Sequence, residues 1–179
     1  CTTPMGNYAF PIYYSNAYPV GLFYQNSLIF ILGAGSGNTG YSDCITYNES
    51  YFEAYHLYFP AFRPADITYL PEMQAFFVLS GQSVWGAFRS SESAYMERYI
   101  DYEVSTDATS IFIADNHVIT LGSRLSVYSP SENELELVKD YPDIAGTCYS
   151  KEGDVLALAN TQGLFLYDIS NPENIQLIP

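Results

Sequence analysis

Short apolar segments, each followed by a tight turn, recur along almost the whole chain and constrain its fold more than any other feature. In residues 140–179, four such segments are separated by the turn-forming residues 151–153, 160–162 and 170–173. Runs this short, bounded by Gly, Asn, Ser and Pro, are typical of β-strands and are too brief for most helices. These residues therefore predict one antiparallel sheet of four strands.

The same unit recurs upstream with a period near forty residues. Val118 precedes Val155 by 37 residues, Leu125 precedes Leu164 by 39, and Phe76 precedes Val118 by 42. A four-stranded unit repeated at this period is typical of β-propellers, in which neighbouring blades cover the apolar faces that one sheet cannot bury alone. The predicted fold class is all-β: a β-propeller of four four-stranded blades, or a four-blade segment of a larger propeller. The strands are predicted at 8–14, 20–24, 27–32 and within 51–59, then at 66–70, 74–79, 83–89 and 95–101, then at 110–114, 117–121, 124–129 and 134–139, and last at 146–150, 154–159, 163–169 and 174–178.

The predicted domain and blade boundaries follow from this repeat. Residues 1–7 are predicted to be a tether, and residues 8–179 a single domain. Its blades are placed at about 8–64, 65–101, 102–139 and 140–179.

The first blade is the longest because it contains a segment rich in Gly, Ser and Asn at 33–43, which is predicted to be a surface loop. No helical pattern and no basic residue follow its glycines, so a nucleotide-binding loop is not indicated. Propellers bind through loops on one face, and the predicted binding loop is therefore this segment. Its candidate residues are Gly35, Asn38, Tyr41 and Asp43.

The chain is strongly acidic, with 20 Asp and Glu against 6 Lys and Arg and a formal net charge of −14. Phosphate binding needs a basic surface, so nucleic acid is a poor partner, and an anionic membrane would not attract the chain electrostatically. The charge is explained either by solubility or by a surface for a cation or a basic partner. The partners expected are other protein subunits.

The three cysteines support two predictions. Cys1 is followed by small polar residues and a proline, which resembles the processed start of a bacterial lipoprotein, so lipidation is expected there. A trimmed chain and a disulfide through Cys1 are the alternatives. The first and fourth units would be neighbours in a four-bladed ring, so Cys44 and Cys148 are predicted to pair. Such a bridge would close a loop of roughly 100 residues and contribute about 4 kcal/mol.

No catalytic site is indicated. His56 and His117 have no second histidine or cysteine at metal-ligand spacing, and no GxSxG nucleophile motif occurs. His117 is interpreted as a turn residue, with a ligand pair formed with Asp115 as the alternative. The single tryptophan, Trp85, is predicted to lie in a blade core.

A run of alternating carboxylates, Glu132, Glu134 and Glu136, is predicted to be the exposed face of an outer strand. Calcium binding is the weaker interpretation because the spacing of a calcium loop is missing. No cofactor is expected.

One turn carries a family resemblance. In the run LFLYDISNPENIQLI, an apolar strand leads into Asp-Ile-Ser-Asn-Pro and a second short strand, which resembles the LVIVD-repeat β-propellers of bacteria and archaea. The resemblance implies a propeller at the cell surface or envelope and no catalytic residue. Ser129-Pro130-Ser131 is a degenerate copy in the third unit. The residues that match are Tyr167, Asp168, Ser170, Asn171 and Pro172.

The predicted function is a non-catalytic binding or assembly propeller located outside the cytoplasm, at the cell surface, in the periplasm or secreted, with a lipid anchor on Cys1. The alternative is a propeller enzyme or a carbohydrate-binding module that uses an aromatic-rich channel.

Overall fold

The computed structural model describes residues 17–25, 28–35, 40–48, 51–59, 64–80, 82–89, 96–102, 107–146 and 148–179. Side chains are described for 65–80, 82–88, 100, 102, 107–146 and 148–179. Within these ranges the chain is almost entirely β, with two short 3₁₀ turns at Pro71–Met73 and Pro172–Asn174. Over the same residues, no helix is long and apolar enough to cross a membrane.

The strands form four antiparallel sheets, each a meander of four consecutive strands. In the last three sheets, every strand lies within two residues of its predicted position. The second sheet contains β5 Pro64–Leu70, β6 Ala75–Ser80, β7 Ser83–Arg89 and β8 Met96–Asp101; the third contains β9 Ser110–Ala114, β10 His117–Leu121, β11 Leu125–Pro130 and β12 Leu135–Tyr141; the fourth contains β13 Cys148–Glu152, β14 Val155–Asn160, β15 Gly163–Asp168 and β16 Gln176–Ile178.

The first sheet differs from the prediction. The segment 33–43, predicted as a loop, supplies the end of one strand and the start of the next. Tyr41, Asp43 and Ile45 alternate along a strand that pairs with residues on both sides, and this pairing outweighs the turn preference of the nearby glycines. The predicted strand 8–14 lies outside the described residues. The strands of this sheet are β1 Ala17–Gln25, β2 Leu28–Gly35, β3 Gly40–Asn48 and β4 Tyr51–Phe59.

Consecutive sheets stack through their faces. The backbone of β1 and β2 lies beside β5, and β5 lies beside β9. One apolar core fills the space between the second and third sheets and another fills the space between the third and fourth. The first includes Phe77, Leu79, Ile111 and Val118, and the second includes Ile119, Leu121, Leu125, Val127, Leu156 and Leu158.

The hairpin register shows which residues of neighbouring sheets are equivalent. The two-residue turns 115–116 and 153–154 occupy the same place in the third and fourth sheets. The step between these hairpins is therefore 38 residues, and the predicted step of 37 is wrong by one. Because strand side chains alternate between faces, this slip matters: Ile119 corresponds to Ala157 and not to Leu156.

A tyrosine at the end of an outer strand ties each of two sheets to the next. The hydroxyl of Tyr102, after β8, donates to the carbonyl of Ser131 at 3.1 Å, and that of Tyr141 donates to the carbonyl of Pro172 at 2.9 Å. The Tyr141 hydroxyl also accepts the amide of Ile175 at 2.9 Å. Both tyrosines follow an aspartate, and they are 39 residues apart, so the repeat is visible in this contact as well.

The four sheets do not close into a ring. Cys148 is a free cysteine with an exposed side chain. The side chain of Cys44 lies outside the described residues, so the predicted pairing of Cys44 with Cys148 stays a prediction.

Candidate functional site

The first strands of the second, third and fourth sheets meet around one aspartate. Asp66, on β5, accepts the amide of Ile67 at 2.9 Å through Oδ1 and the amide of Ile111 on β9 at 2.9 Å through Oδ2. The side chain of Tyr149 on β13 also interacts with this carboxylate. One side chain therefore joins three sheets.

The surroundings of Asp66 and Tyr149 shift the pKa values of both side chains. Burial raises the pKa of Asp66 above its usual range, and the hydrogen bonds from Ile111, Ile67 and Tyr149 oppose that shift. Burial also raises the pKa of Tyr149, and the negative charge of Asp66 raises it further. Tyr149 therefore keeps its proton and can act as a donor to Asp66.

A cleft of about 620 Å³ opens beside this junction, between the ends of the three first strands. Its floor contains the buried rings of Tyr69 and Phe112. Tyr69 stacks on Phe76 with ring centroids 4.4 Å apart, and Phe112 packs against Tyr149 at 5.1 Å. These contacts give the cleft a rigid aromatic base.

Tight turns form the rim. Asp115 and Asn116 both have positive φ, at 41° and 60°, as the two central residues of a hairpin turn that Asp and Asn tolerate well. Gly153, with φ of 55°, sits at the matching turn of the fourth sheet. Nδ1 of His117 donates to the carbonyl of Asp115 at 2.7 Å, so this histidine belongs to the turn.

The rim is mainly acidic. The exposed carboxylates of Glu72, Asp115 and Asp154 line the cleft, together with the exposed ammonium of Lys151. Three negative groups against one positive group give the opening a negative potential, which favours a cationic ligand.

A second cleft of about 650 Å³ lies at the opposite ends of the strands, among the loops around Asp107, Gly122, Asp143 and Asn160. Its lining contains no aromatic ring. It lacks the convergence of three sheets seen at the first cleft, which is therefore the stronger candidate.

The predicted binding loop belongs to the first sheet. Gly35 is the last residue of β2, and Tyr41 and Asp43 lie on β3. Asn38 and Cys1 lie outside the described residues, as do the side chains of the whole first sheet, including Cys44 and His56. Their predicted roles stay predictions.

Other candidates have structural explanations. Glu132, Glu134 and Glu136 are all exposed. Only Glu136 lies on the outer strand β12, because Glu132 and Glu134 belong to the turn before it, so the predicted strand face holds for Glu136 alone. Trp85 is half-buried on β7. Among the side chains that the structure describes, no group of three or more His, Cys, Asp or Glu is placed to hold a metal ion.

Sequence reasoning missed Asp66 and Tyr149. Neither belongs to a motif, because their contact joins strands of different sheets. The only available signal was position: each lies on the first strand of its unit, where a propeller-like stack brings strands together.

The sequence matches no protein-family model and no curated protein. Solved structures resemble the fold. A luciferin-regenerating enzyme aligns with a TM-score of 0.59 at 10% identity, covering 88% of this chain and 55% of its own. PorZ, a bacterial surface component of the type-IX secretion system of Porphyromonas gingivalis, aligns with a TM-score of 0.57 at 13% identity, covering 90% of this chain and 21% of its own.

The WD40 β-propeller domain of Doa1 aligns with a TM-score of 0.49 at 9% identity, covering 93% of this chain and 72% of its own, a likeness too weak to carry an argument. The chain spans about half the length of the first of these structures and a fifth of the second. Successive four-stranded meanders stacked face to face define a β-propeller-like repeat protein.

Proposed function

We propose that this chain is a four-bladed β-propeller unit that acts outside the cytoplasm as a non-catalytic binding and assembly protein, and that its cleft takes a basic segment of a protein partner. The observation that supports this best is the cleft itself, an acidic opening between the first strands of three sheets. Asp66 and Tyr149 hold these strands together. A rigid frame of this kind pays little ordering cost when a ligand binds.

The topology supports the proposed blade count. Four meanders of equal strand number follow one another, and each is the size of a propeller blade. The turn with the LVIVD resemblance is stabilised by local side-chain bonds, because Asp168 accepts the amide of Ser170 at 2.9 Å and Asn171 accepts that of Glu173 at 3.1 Å. We therefore propose that the chain is an LVIVD-type propeller.

The charges of the rim indicate the chemistry of the partner. Glu72, Asp115 and Asp154 are exposed and line the cleft of about 620 Å³. The whole chain adds a long-range negative field, which speeds the approach of a basic partner.

A carbohydrate-binding or enzymatic propeller is the second candidate, favoured by the aromatic floor of the cleft. A sugar usually stacks on the exposed face of an aromatic ring. Tyr69 and Phe112 are only 7% and 5% exposed, and the Tyr149 hydroxyl is committed to Asp66. These observations favour the basic segment.

The proposed location depends on Cys1 and the acidic composition. The mass of the amino-terminal peptide from protein made in a bacterial envelope tests it. A diacylglycerol adduct on Cys1 is expected, and an unmodified Cys1 would remove the anchor.

The binding proposal is tested with a fluorescent hexalysine peptide and fluorescence anisotropy at low salt. The variant E72Q/D115N/D154N should bind about tenfold more weakly, since each exposed pair contributes roughly 0.5 kcal/mol. The matched control E132Q/E134Q/E136Q removes the same charge from the outer edge of the third sheet, outside the cleft lining, and should change the affinity much less. Equal weakening in both variants, or no binding by the wild type, would contradict the proposal.

A further inference from the structure

The fourth sheet has one apolar face that no other described residue covers. Four large side chains on it are exposed to unusual degrees for aliphatic groups: Val155 at 39%, Leu164 at 71%, Leu166 at 40% and Ile178 at 36%. Isolated exposed leucines are ordinary, but a cluster on one surface marks an interaction site.

The strand register shows that these residues share a face. Leu166 pairs with both Ala157 and Ile178, and Leu164 pairs with Ala159. Cross-strand partners project to the same side of a sheet. The open face therefore comprises Val155, Ala157, Ala159, Leu164, Leu166 and Ile178. The opposite face carries Leu156 and Leu158, which are fully buried against the third sheet.

The corresponding face of the third sheet is covered. Its residues Ile119, Leu121, Leu125 and Val127 are fully buried in the core shared with the fourth sheet. By the hairpin alignment, their equivalents in the fourth sheet are residues of the open face: Ala157, Ala159, Leu164 and Leu166. The open face thus continues an established series of sheet-to-sheet contacts, and its natural cover is another four-stranded sheet of the same kind.

The size of the face helps to identify the occupant. Four strands spaced by about 4.8 Å and about 18 Å long give roughly 350 Å². One such contact buries about 700 Å² in total, below the roughly 1,200 Å² of a stable interface. Two such contacts between the same pair of chains would bury about 1,400 Å², which is enough.

Two such contacts arise when the first sheet of each chain covers the fourth sheet of its partner. This arrangement is a head-to-tail contact between two chains that closes into a ring. The sequence of the first sheet is consistent with this role. Its strand β2 contains the unbroken apolar run 28–32, the pattern of a strand that is covered on both faces.

We propose that the open face of the fourth sheet is the docking site for the first sheet of a second copy of this chain, so that two chains form a closed ring of eight sheets. This proposal does not depend on the cleft. Both chains are acidic, so repulsion opposes the association and added salt should strengthen it.

Light scattering after size exclusion tests the proposal on the full chain. The wild type should elute at twice 20.0 kDa, and more completely at high salt. The variant L164K/L166K should weaken the dimer at least tenfold. The control L137K changes a leucine that is 52% exposed on β12 of the third sheet, outside the open face, and should keep the dimer. Circular dichroism establishes that each variant is folded.

Cys148 offers a second measurement that needs no substitution. It pairs with Ala159 and so lies on the open face, where it is exposed in the single chain. Its alkylation rate, followed by peptide mass mapping, should fall several-fold as the wild-type concentration crosses the dimer Kd. A monomeric wild type, a dimer that L164K/L166K leaves intact, equal loss with L137K, or a rate independent of concentration would overturn the proposal.

Discussion

Tyr141 shows how a single side chain can secure one sheet to the next. Its ring lies in the core between the third and fourth sheets, and its hydroxyl bonds Pro172 and Ile175 of the following turn. Tyr102 does the same between the second and third sheets, with its ring stacked 6.0 Å from Phe77 and its hydroxyl on Ser131. The same tyrosine contact therefore occurs at two successive junctions between sheets.

We expect Tyr141→Phe to lower the free energy of unfolding by about 1–3 kcal/mol, because two hydrogen bonds are lost and two partly buried backbone groups lose a partner. Urea unfolding measures the change. Tyr167→Phe is the control, since its described contact is the ring packing against Phe165. If both variants lose the same stability, the hydroxyl of Tyr141 has no special role.

At the residue scale, turns formed by neighbouring residues could be predicted from the sequence, whereas contacts between residues far apart in the sequence could not. The turn at 168–172 was predicted from its Asp, Asn and Pro, and its side-chain bonds confirm it. Asp66 and Tyr149 could not be found this way. Nothing near either residue in the sequence marks it, and their meeting depends on how three sheets stack.

At the scale of elements, the strand positions could be predicted where clear turn residues separated the strands. In the last three sheets, short apolar runs and clear turn residues located each strand. In the first sheet, glycines inside 33–43 suggested a loop where two strands in fact continue. Composition alone cannot separate a glycine that ends a strand from one that lies within it.

β5 carries a prediction about pH. Because burial raises the pKa of Asp66, the folded chain keeps a proton at pH values where the unfolded chain has lost it. The contribution of Asp66 to the free energy of unfolding is therefore greatest at pH values below its ordinary pKa of 3.8. This contribution falls as the pH rises through the folded-state pKa. Asp66→Asn removes this titration. The difference in unfolding free energy, wild type minus variant, should fall as the pH rises above 3.8, the ordinary value for Asp66.

Urea unfolding of both proteins at several pH values measures that difference, and the other carboxylates cancel in the comparison. A difference that grows with pH would mean that the carboxylate is stabilised by its hydrogen bonds more than it is penalised by burial.

At the scale of the whole molecule, the period of the repeat predicted successive four-stranded sheets in sequential order but not whether they close. A ring requires the first and last sheets to meet, and that depends on the small rotation between neighbours, which has no sequence signature. The open arrangement exposes the apolar face of the fourth sheet, whereas the acidic cleft lies between the ends of the first strands of the second, third and fourth sheets.

The central claim is that the first strands of three sheets converge, and a double-mutant cycle between Asp66 and Tyr149 tests it most directly. Asp66→Ala, Tyr149→Phe and the double variant are unfolded in urea at neutral pH. We expect a coupling of about 1–2 kcal/mol, because these side chains on β5 and β13 interact. Effects that add to within about 0.3 kcal/mol would mean that the strands do not meet and would contradict it.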